Sequence, residues 1–290
     1  MLLMDLCEAA NLLKQGGIVA FPTETVYGLG APIFFEDSVR EIFRLKGRPA
    51  DNPLIAHISD LGQLDQIVVD LPKAFYRLAQ RFFPGPLTIV LKKAIAVPSI
   101  VSGGLSTLGV RMPGLKMARE LIRAVGMPLV APSANLSGKP SSTKAEHVRT
   151  DFGDKVAILE GECLYGLEST VITLEPYPTL LRPGQIRKEE IEEVLGVSLA
   201  IAKECERPLS PGMKYRHYAP NASVRLFKSK EEMEHYLISA PICLRHVFVA
   251  TPVTLYSELR YADQIGAKEV VILSTSDDPA MLNRLFKASQ

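Results

Sequence analysis

Tryptophan is absent from this 290-residue chain, and cysteine occurs only four times. Cys7, Cys163, Cys205 and Cys243 lie far apart and form no CxxC pair. That argues against a disulfide framework or a zinc site and fits reduced thiols in a cytosol. No apolar run approaches the roughly 20 residues that a membrane span needs. An excess of one charge is missing too. Lys plus Arg total 33 against 32 Asp plus Glu, a formal charge of +1, so nothing resembles a strongly basic nucleic-acid binder. Residues 1–15 contain Asp5 and Glu8 and lack a basic start. They read as an amphipathic helix, not a secretory signal, and the expected location is cytoplasmic, with no membrane partner. The common nucleotide and hydrolase signatures are also missing: there is no GxxxxGK[ST] loop, no GxGxxG after the first strand, no GxSxG elbow and no kinase set. Any nucleotide chemistry must then hold phosphates with side-chain cations, and Lys46, Arg48 and Arg182 are the candidates.

Hydrophobic residues make up 47% of the chain, ample for a core. Short apolar runs at 17–21, 53–58, 87–91, 108–112, 128–131, 156–159 and 170–174, and at Leu180 and Leu181, predict strands. Helical periodicity predicts helices at 37–45, 72–81, 116–125 and 188–195. Strands alternating with helices indicate an α/β fold. Several neighbouring strands lack a crossover helix, which predicts a twisted mixed sheet with flanking helices. The pattern breaks at 203–222 (KECERPLSPGMKYRHYAPNA), which reads as a linker. Beyond it, strands at 224–227, 242–250 and 269–273 alternate with helices at 230–238, 256–265 and 279–288. The expected organisation is a large domain at 1–202, a linker or lid at 203–222, and a small Rossmann-like α/β domain at 223–290 that leans on the first.

Five segments could carry chemistry. Residues 21–30 (FPTETVYGLG) run from a strand into a turn with hydroxyls, and their glycines would allow a ligand close to the backbone. Residues 46–53 (KGRPADNP), followed by His57, place Lys46 and Arg48 side by side, a point charge and a planar fork suited to polyphosphate. An isolated KxR is more often a solvated pair at a helix C-terminus, and a single histidine is usually structural. Residues 107–113 (TLGVRMP) put Arg111 in an apolar strand, where it needs a protein or substrate anion. Residues 131–143 deliver Ser133 and Asn135 to a loop as hydrogen-bonding groups. Residues 166–170 (GLEST) are followed by LLRPG, where Arg182 ends a strand.

In this order the segments closely resemble the YrdC-like L-threonylcarbamoyl-AMP synthase family. The matching stretches are FPTETVYGLG, KGRPADNPLIAHI, FFPGPLTIVL, GVRMP, APSANLSGKPS, ESTVI and LLRPGQI. The KxR and SxN pairs, Lys46/Arg48 and Ser133/Asn135, match the family signature. SPGMKYRHYAP resembles the segment that joins this domain to an extra C-terminal domain in the long form, here shorter than usual. The resemblance implies a YrdC-like domain and a nucleotidyltransferase that joins L-threonine, bicarbonate or CO2, and ATP into threonylcarbamoyl-AMP and pyrophosphate, for threonylcarbamoyladenosine modification of tRNA next to the anticodon. It implies that Thr25, His57, Arg111, Ser133 and Ser169 bind L-threonine, with Arg111 on its carboxylate. Arg48, Asn52, Thr107, Asn135, Thr143, Arg182 and Tyr215 would contact ATP. Lys46 and Arg48 would be the catalytic cations, Lys46 neutralising phosphate charge and Tyr215 lying over the nucleotide. ATP is a substrate and Mg2+ is expected with it, with no protein ligand evident. The partners implied are the downstream tRNA threonylcarbamoyl-transferase proteins, with at most weak tRNA contact. The rivals are a non-catalytic RNA-binding module of the same fold, which near-zero net charge disfavours, a carbamoyl-transfer enzyme, whose acylphosphatase and zinc-finger segments are missing, and a nucleotide-binding α/β protein of other chemistry.

Overall fold

The computed structural model describes residues 4–202 and 217–290. Its main sheet contains β1 (Val19–Phe21), β2 (Gly28–Pro32), β3 (Ile55–His57), β4 (Leu87–Lys92), β5 (Thr107–Arg111), β6 (Leu129–Val130), β7 (Ala157–Ile158), β8 (Thr170–Thr173), β9 (Thr179–Arg182) and β10 (Ala200–Ile201). The spatial order is β10-β9-β8-β4-β5-β3-β6-β2-β1-β7. Pairing is mixed, as the missing crossover helices predict: β3 runs parallel to β5, whereas β4 is antiparallel to β5 and parallel to β8. The central strands read as continuous apolar runs because the sheet is covered on both faces. All four residues of β8 are buried, as are Leu87 to Leu91 of β4.

Helices α1 (Leu6–Lys14), α2 (Glu36–Lys46), α3 (Lys73–Phe82), α4 (Lys116–Val125), α5 (Ala145–Phe152) and α6 (Lys188–Leu195) flank this sheet. In α3 the buried residues are Phe75, Leu78, Ala79 and Phe82, the spacing of one helical face. Helix α2 ends at Gly47, whose φ of 59° is left-handed. A glycine there stops the helix without steric cost and turns the chain toward Arg48.

Three elements escape the sequence pattern. GLGAP reads as a turn but forms β2, fully buried between β1 and β6. Gly30 is there for packing and not for a ligand: a Cβ on it would lie 2.6 Å from the Phe21 ring. Strand β10 and helix α5 are too short and weakly patterned to stand out.

A second sheet holds β11 (Ser223–Phe227), β12 (Arg245–Val249) and β13 (Glu269–Leu273) in the order β11-β13-β12, all parallel. Helices α7 (Lys230–Ser239), α8 (Leu255–Gln264) and α9 (Pro279–Ala288) accompany it. This unit leans on the first through α8 and α9. Arg260 of α8 forks onto Asp151 at 2.8 and 3.0 Å and donates to the Pro140 carbonyl at 2.6 Å. Among the described residues no helix is long and apolar enough to cross a membrane.

Candidate active site

An open cleft lies where loops from β1, β3, β5, β6 and β9 converge. Thr25, His57, Arg111, Ser133, Ser169, Arg48, Asn135 and Arg182 all line it. Register explains part of this gathering. His57 and Arg111 are partners at the ends of the parallel strands β3 and β5, and Ser133, past the end of β6, bridges to Gly28.

Arg111 has its anion within the protein. Its Nη2 donates to Glu24 Oε1 at 2.6 Å, its Nη1 to Thr25 Oγ1 at 2.9 Å and its Nε to the Gly85 carbonyl at 3.3 Å. Both charged side chains are about 5% exposed or less. Burial pushes the Glu24 carboxyl up, but the Arg111 charge and the backbone N–H groups at Gly114 and Glu24 outweigh it and hold the group below its usual range. Of the two anions the sequence left open for Arg111, a protein carboxylate is present, and the arginine is half of a buried pair. Thr25 Oγ1 also meets Thr23 Oγ1 at 2.8 Å. Ser169 Oγ meets Thr88 Oγ1 at 2.8 Å, and Arg182 donates to the Ser169 carbonyl at 3.0 and 3.1 Å.

His57 is 3% exposed, and its Nδ1 lies 3.2 Å from the Ile55 carbonyl. A carbonyl only accepts, so Nδ1 carries the proton and Nε2 keeps its lone pair. Burial, and then the Arg111 charge, pull its pKa down to about 3. The ring is thus a neutral acceptor at pH 7.

The nucleotide set is less gathered. Arg48 lines the cleft and donates to the carbonyls of Asn52 and Pro53 at 3.2 and 2.8 Å. Asn52 lies behind it, 1% exposed, with both side-chain polar atoms unpartnered, and Asn135 Oδ1 is likewise buried without a partner. Buried amides without partners are uncommon, and each one asks for an explanation such as a ligand. Thr143 faces the second unit, with Oγ1 3.3 Å from Ser257 Oγ. Thr107 is at the opposite end of β5 from Arg111, in a shallow hollow with Asp70 and Lys92, and does not belong to this cleft. Residues i and i+4 of a strand share a face but lie about 13 Å apart along it, a separation that a contiguous motif conceals.

Lys46 also departs from expectation. It is 2% exposed, does not line the cleft, and its Nζ donates to the Ser133 and Asn135 carbonyls, both at 2.5 Å. Burial and the neighbouring Arg48 charge push its pKa well down. It binds the SxN loop instead of facing phosphate.

Tyr215 lies outside the described residues. His217 and Tyr218, from the same aromatic cluster, line the cleft. Tyr218 has a φ of +64°, an uncommon conformation for a tyrosine that the surroundings must hold in place. Burial, then the Arg48 charge, lowers the His217 pKa to about 3.

Thr23, Glu24, Lys139, Ser141 and Glu168 were missed from the sequence, although Thr23, Ser141 and Glu168 contribute to the lining and Glu24 fixes Arg111. The signal available was their position inside the same motifs. Among the described residues, no group of three or more His, Cys, Asp or Glu side chains is placed to hold a metal ion.

The chain resembles known proteins over most of its length. Residues 11–184 match the Sua5/YciO/YrdC family model, described as telomere recombination, and residues 186–252 match the model of the threonylcarbamoyl-AMP synthase C-terminal domain. The threonylcarbamoyl-AMP synthase of Pyrococcus abyssi is 51% identical over 74% of this chain and 66% of its own length. That of Bacillus subtilis is 47% identical over 81% of this chain and 70% of its own. The chain therefore spans about two thirds of the length of these curated relatives. The crystal structure of P. abyssi Sua5 complexed with L-threonine superposes with a TM-score of 0.91 at 39% identity, covering 98% of this chain and 94% of that one. The chain belongs to the Sua5/YciO/YrdC family.

Proposed function

We propose that this chain is a threonylcarbamoyl-AMP synthase, a nucleotidyltransferase that makes threonylcarbamoyl-AMP and pyrophosphate from L-threonine, bicarbonate or CO2, and ATP in the cytoplasm. The observation that carries the reading is one cleft lined together by Thr25, His57, Arg111, Ser133 and Ser169 and by Arg48, Asn135 and Arg182. The names of the relatives support the same activity.

In this reading L-threonine occupies the side built on Arg111. Its carboxylate shares the guanidinium with Glu24, and its hydroxyl meets Thr25, Ser133 and Ser169. The ammonium proton is lost to solvent before attack, and the neutral His57 accepts a hydrogen bond that orients the amine. The amine nitrogen bonds to the one-carbon substrate, giving a carbamate and either water, from bicarbonate, or a proton released to solvent, from CO2. A carbamate oxygen then attacks the α-phosphorus, the bond to the β-phosphate oxygen breaks and pyrophosphate leaves. Arg48 and Arg182, with Asn52 and Asn135, hold the nucleotide, so catalysis is positioning and charge stabilisation. Thr143, whose hydroxyl lies 3.3 Å from that of Ser257 at the unit boundary, supports the nucleotide side. Lys46 acts by fixing the Ser133–Asn135 loop. Glu168, which lines the cleft, and Glu24, which holds Arg111 from behind it, are each paired with a buried arginine. Mg2+ would therefore arrive on phosphate oxygens and water, without a carboxylate from the described residues.

We assign 1–202 as the catalytic domain, 203–222 as a lid that keeps water from the mixed anhydride, and 223–290 as a separate small domain. Tyr215 is assigned to the nucleotide together with His217 and Tyr218. The product would pass to tRNA threonylcarbamoyl-transferase proteins. The test is pyrophosphate release with ATP and bicarbonate, offering each amino acid in turn. Threonine should outpace valine by about tenfold or more, because valine leaves hydroxyl partners unpaired at about 1–3 kcal/mol. Equal rates would refute the pocket assignment.

A further inference from the structure

Arg284 enters from α9 and is fully buried at 0% exposure. Its Nε donates to Glu168 Oε2 at 2.9 Å and its Nη1 to the Pro183 carbonyl at 2.9 Å. Glu168 directly precedes Ser169 and Pro183 directly follows Arg182, so one guanidinium from the small unit holds the neighbours of two cleft side chains. Tyr256 of α8 adds its hydroxyl to the same carboxylate at 2.9 Å, and Ser141 adds another at 2.5 Å. Tyr218 stacks on Tyr256 at 5.4 Å and lies beneath Arg284 at 5.5 Å. The small unit therefore supplies the cation for a carboxylate that lines the cleft.

We infer that Arg284 is a positioning residue for ATP: by holding Glu168, it keeps that carboxylate from competing with phosphate for Arg182. This rests on the proposed function. A bare carboxylate beside Arg182 would repel an anionic triphosphate and draw the arginine toward itself. The groups facing Glu168 are Arg284, Tyr256, Tyr218, Arg182, His217 and Ser141. Of these groups only Arg284 and Arg182 are cationic at neutral pH, so losing Arg284 leaves Arg182 as the counter-charge among the described residues. L-threonine is a zwitterion and feels this far less.

The experiment compares Arg284→Met, Arg284→Lys, the double variant Glu168→Gln/Arg284→Met, and Arg225→Gln in the full chain. Arg225 belongs to the same small unit but pairs with Glu269 away from the cleft, so it controls for general loosening. For Arg284→Met the KM for ATP should rise about tenfold or more, with the threonine KM and kcat within about threefold. The double variant removes both charges and should return the ATP KM to within about threefold of the parent. Arg284→Lys keeps the charge and should stay close to the parent even if Arg284→Met does not fold. In Arg284→Met the ATP KM should fall on acidification as Glu168, freed from the Arg284 charge that holds its carboxyl low, takes up a proton; the parent should lack that limb. Equal rises for both substrates, no rescue in the double variant, or a tenfold defect in Arg284→Lys would overturn the inference. ATP affinity measured by calorimetry keeps the two readings apart. A parent that binds ATP but releases no pyrophosphate refutes the proposed function, while the binding series still decides the role of Arg284.

Discussion

The two halves of the cleft are built differently. On the side assigned to threonine, polar groups are already partnered within the protein: Arg111 with Glu24 and Thr25, Ser169 with Thr88 and Arg182, His57 with Ile55. On the side assigned to the nucleotide, the buried amide atoms of Asn52 and Asn135 Oδ1 have no partner, and neither has His217 Nε2. A satisfied network is rigid and selects its ligand by geometry, whereas unpartnered buried groups are a standing cost that a ligand relieves. Substitutions in the first half should thus damage fold and function together, and those in the second should separate them.

The largest effect is expected at Arg111. Arg111→Gln should lower pyrophosphate release by about a thousandfold, the order lost when a preorganised charge is removed. It should also destabilise by about 3–5 kcal/mol, since Glu24 is left buried without its cation. Glu24→Gln/Arg111→Gln should regain much of that stability in urea unfolding while staying inactive. If Arg111→Gln melts like the parent, the pair is not a structural element and the contrast between the halves fails.

Next come Lys46 and Arg48, adjacent in sequence and divergent in role. Both Lys46→Ala and Arg48→Ala should reduce turnover by about a hundredfold. Arg48→Ala should do so with the fold intact. Lys46→Ala removes two hydrogen bonds to the Ser133 and Asn135 carbonyls and should raise the KM for both substrates. A Lys46 defect confined to ATP would return it to the phosphate.

That divergence marks how far the sequence was legible. The order of strands and helices could be read from apolar runs and helical spacing, because burial imposes those periods directly. Strand β2 could not, since GLGAP carries turn residues whose reason for being there is cross-strand packing on Phe21. Site membership was legible where motif residues share a strand end, as His57 and Arg111 do. Where they share a strand but not an end, as Thr107 and Arg111 do, the motif does not show that only one of them lines the cleft. Partners from distant segments, Glu24 on Arg111 and Arg284 on Glu168, leave no local trace.

A smaller effect tests the unpartnered half. Asn52 is 1% exposed with neither polar side-chain atom bonded. Asn52→Leu exchanges an unsatisfied amide for a group of similar shape, so stability should hold or rise by about 1 kcal/mol. ATP affinity by calorimetry should fall about tenfold, roughly one hydrogen-bonding group's worth. A clear loss of stability with unchanged ATP binding would mean that the amide serves the fold, and the two halves would no longer differ.

The smallest effect concerns acid. His57 titrates near 6.5 when unfolded and near about 3 when folded, because burial and the Arg111 charge oppose its protonation. Between those values the unfolded chain binds more protons, so stability rises with pH across the window and falls as acid is added. Above 6.5 the contribution of His57 is constant. At about pH 5 the loss is about 2 kcal/mol, from about 1.4 kcal/mol per unit of separation. His147 and His217, lowered to about 4 and about 3, act in the same direction, so the parent should weaken by more than His57 alone accounts for. His57→Phe carries no titrating ring, and its stability measured by urea unfolding should depend less steeply on pH between about 7 and 5, by about that 2 kcal/mol. Parallel curves for parent and variant would mean that His57 is protonated in the folded state. It would then be a second cation beside Arg111, unable to accept a hydrogen bond from the substrate amine.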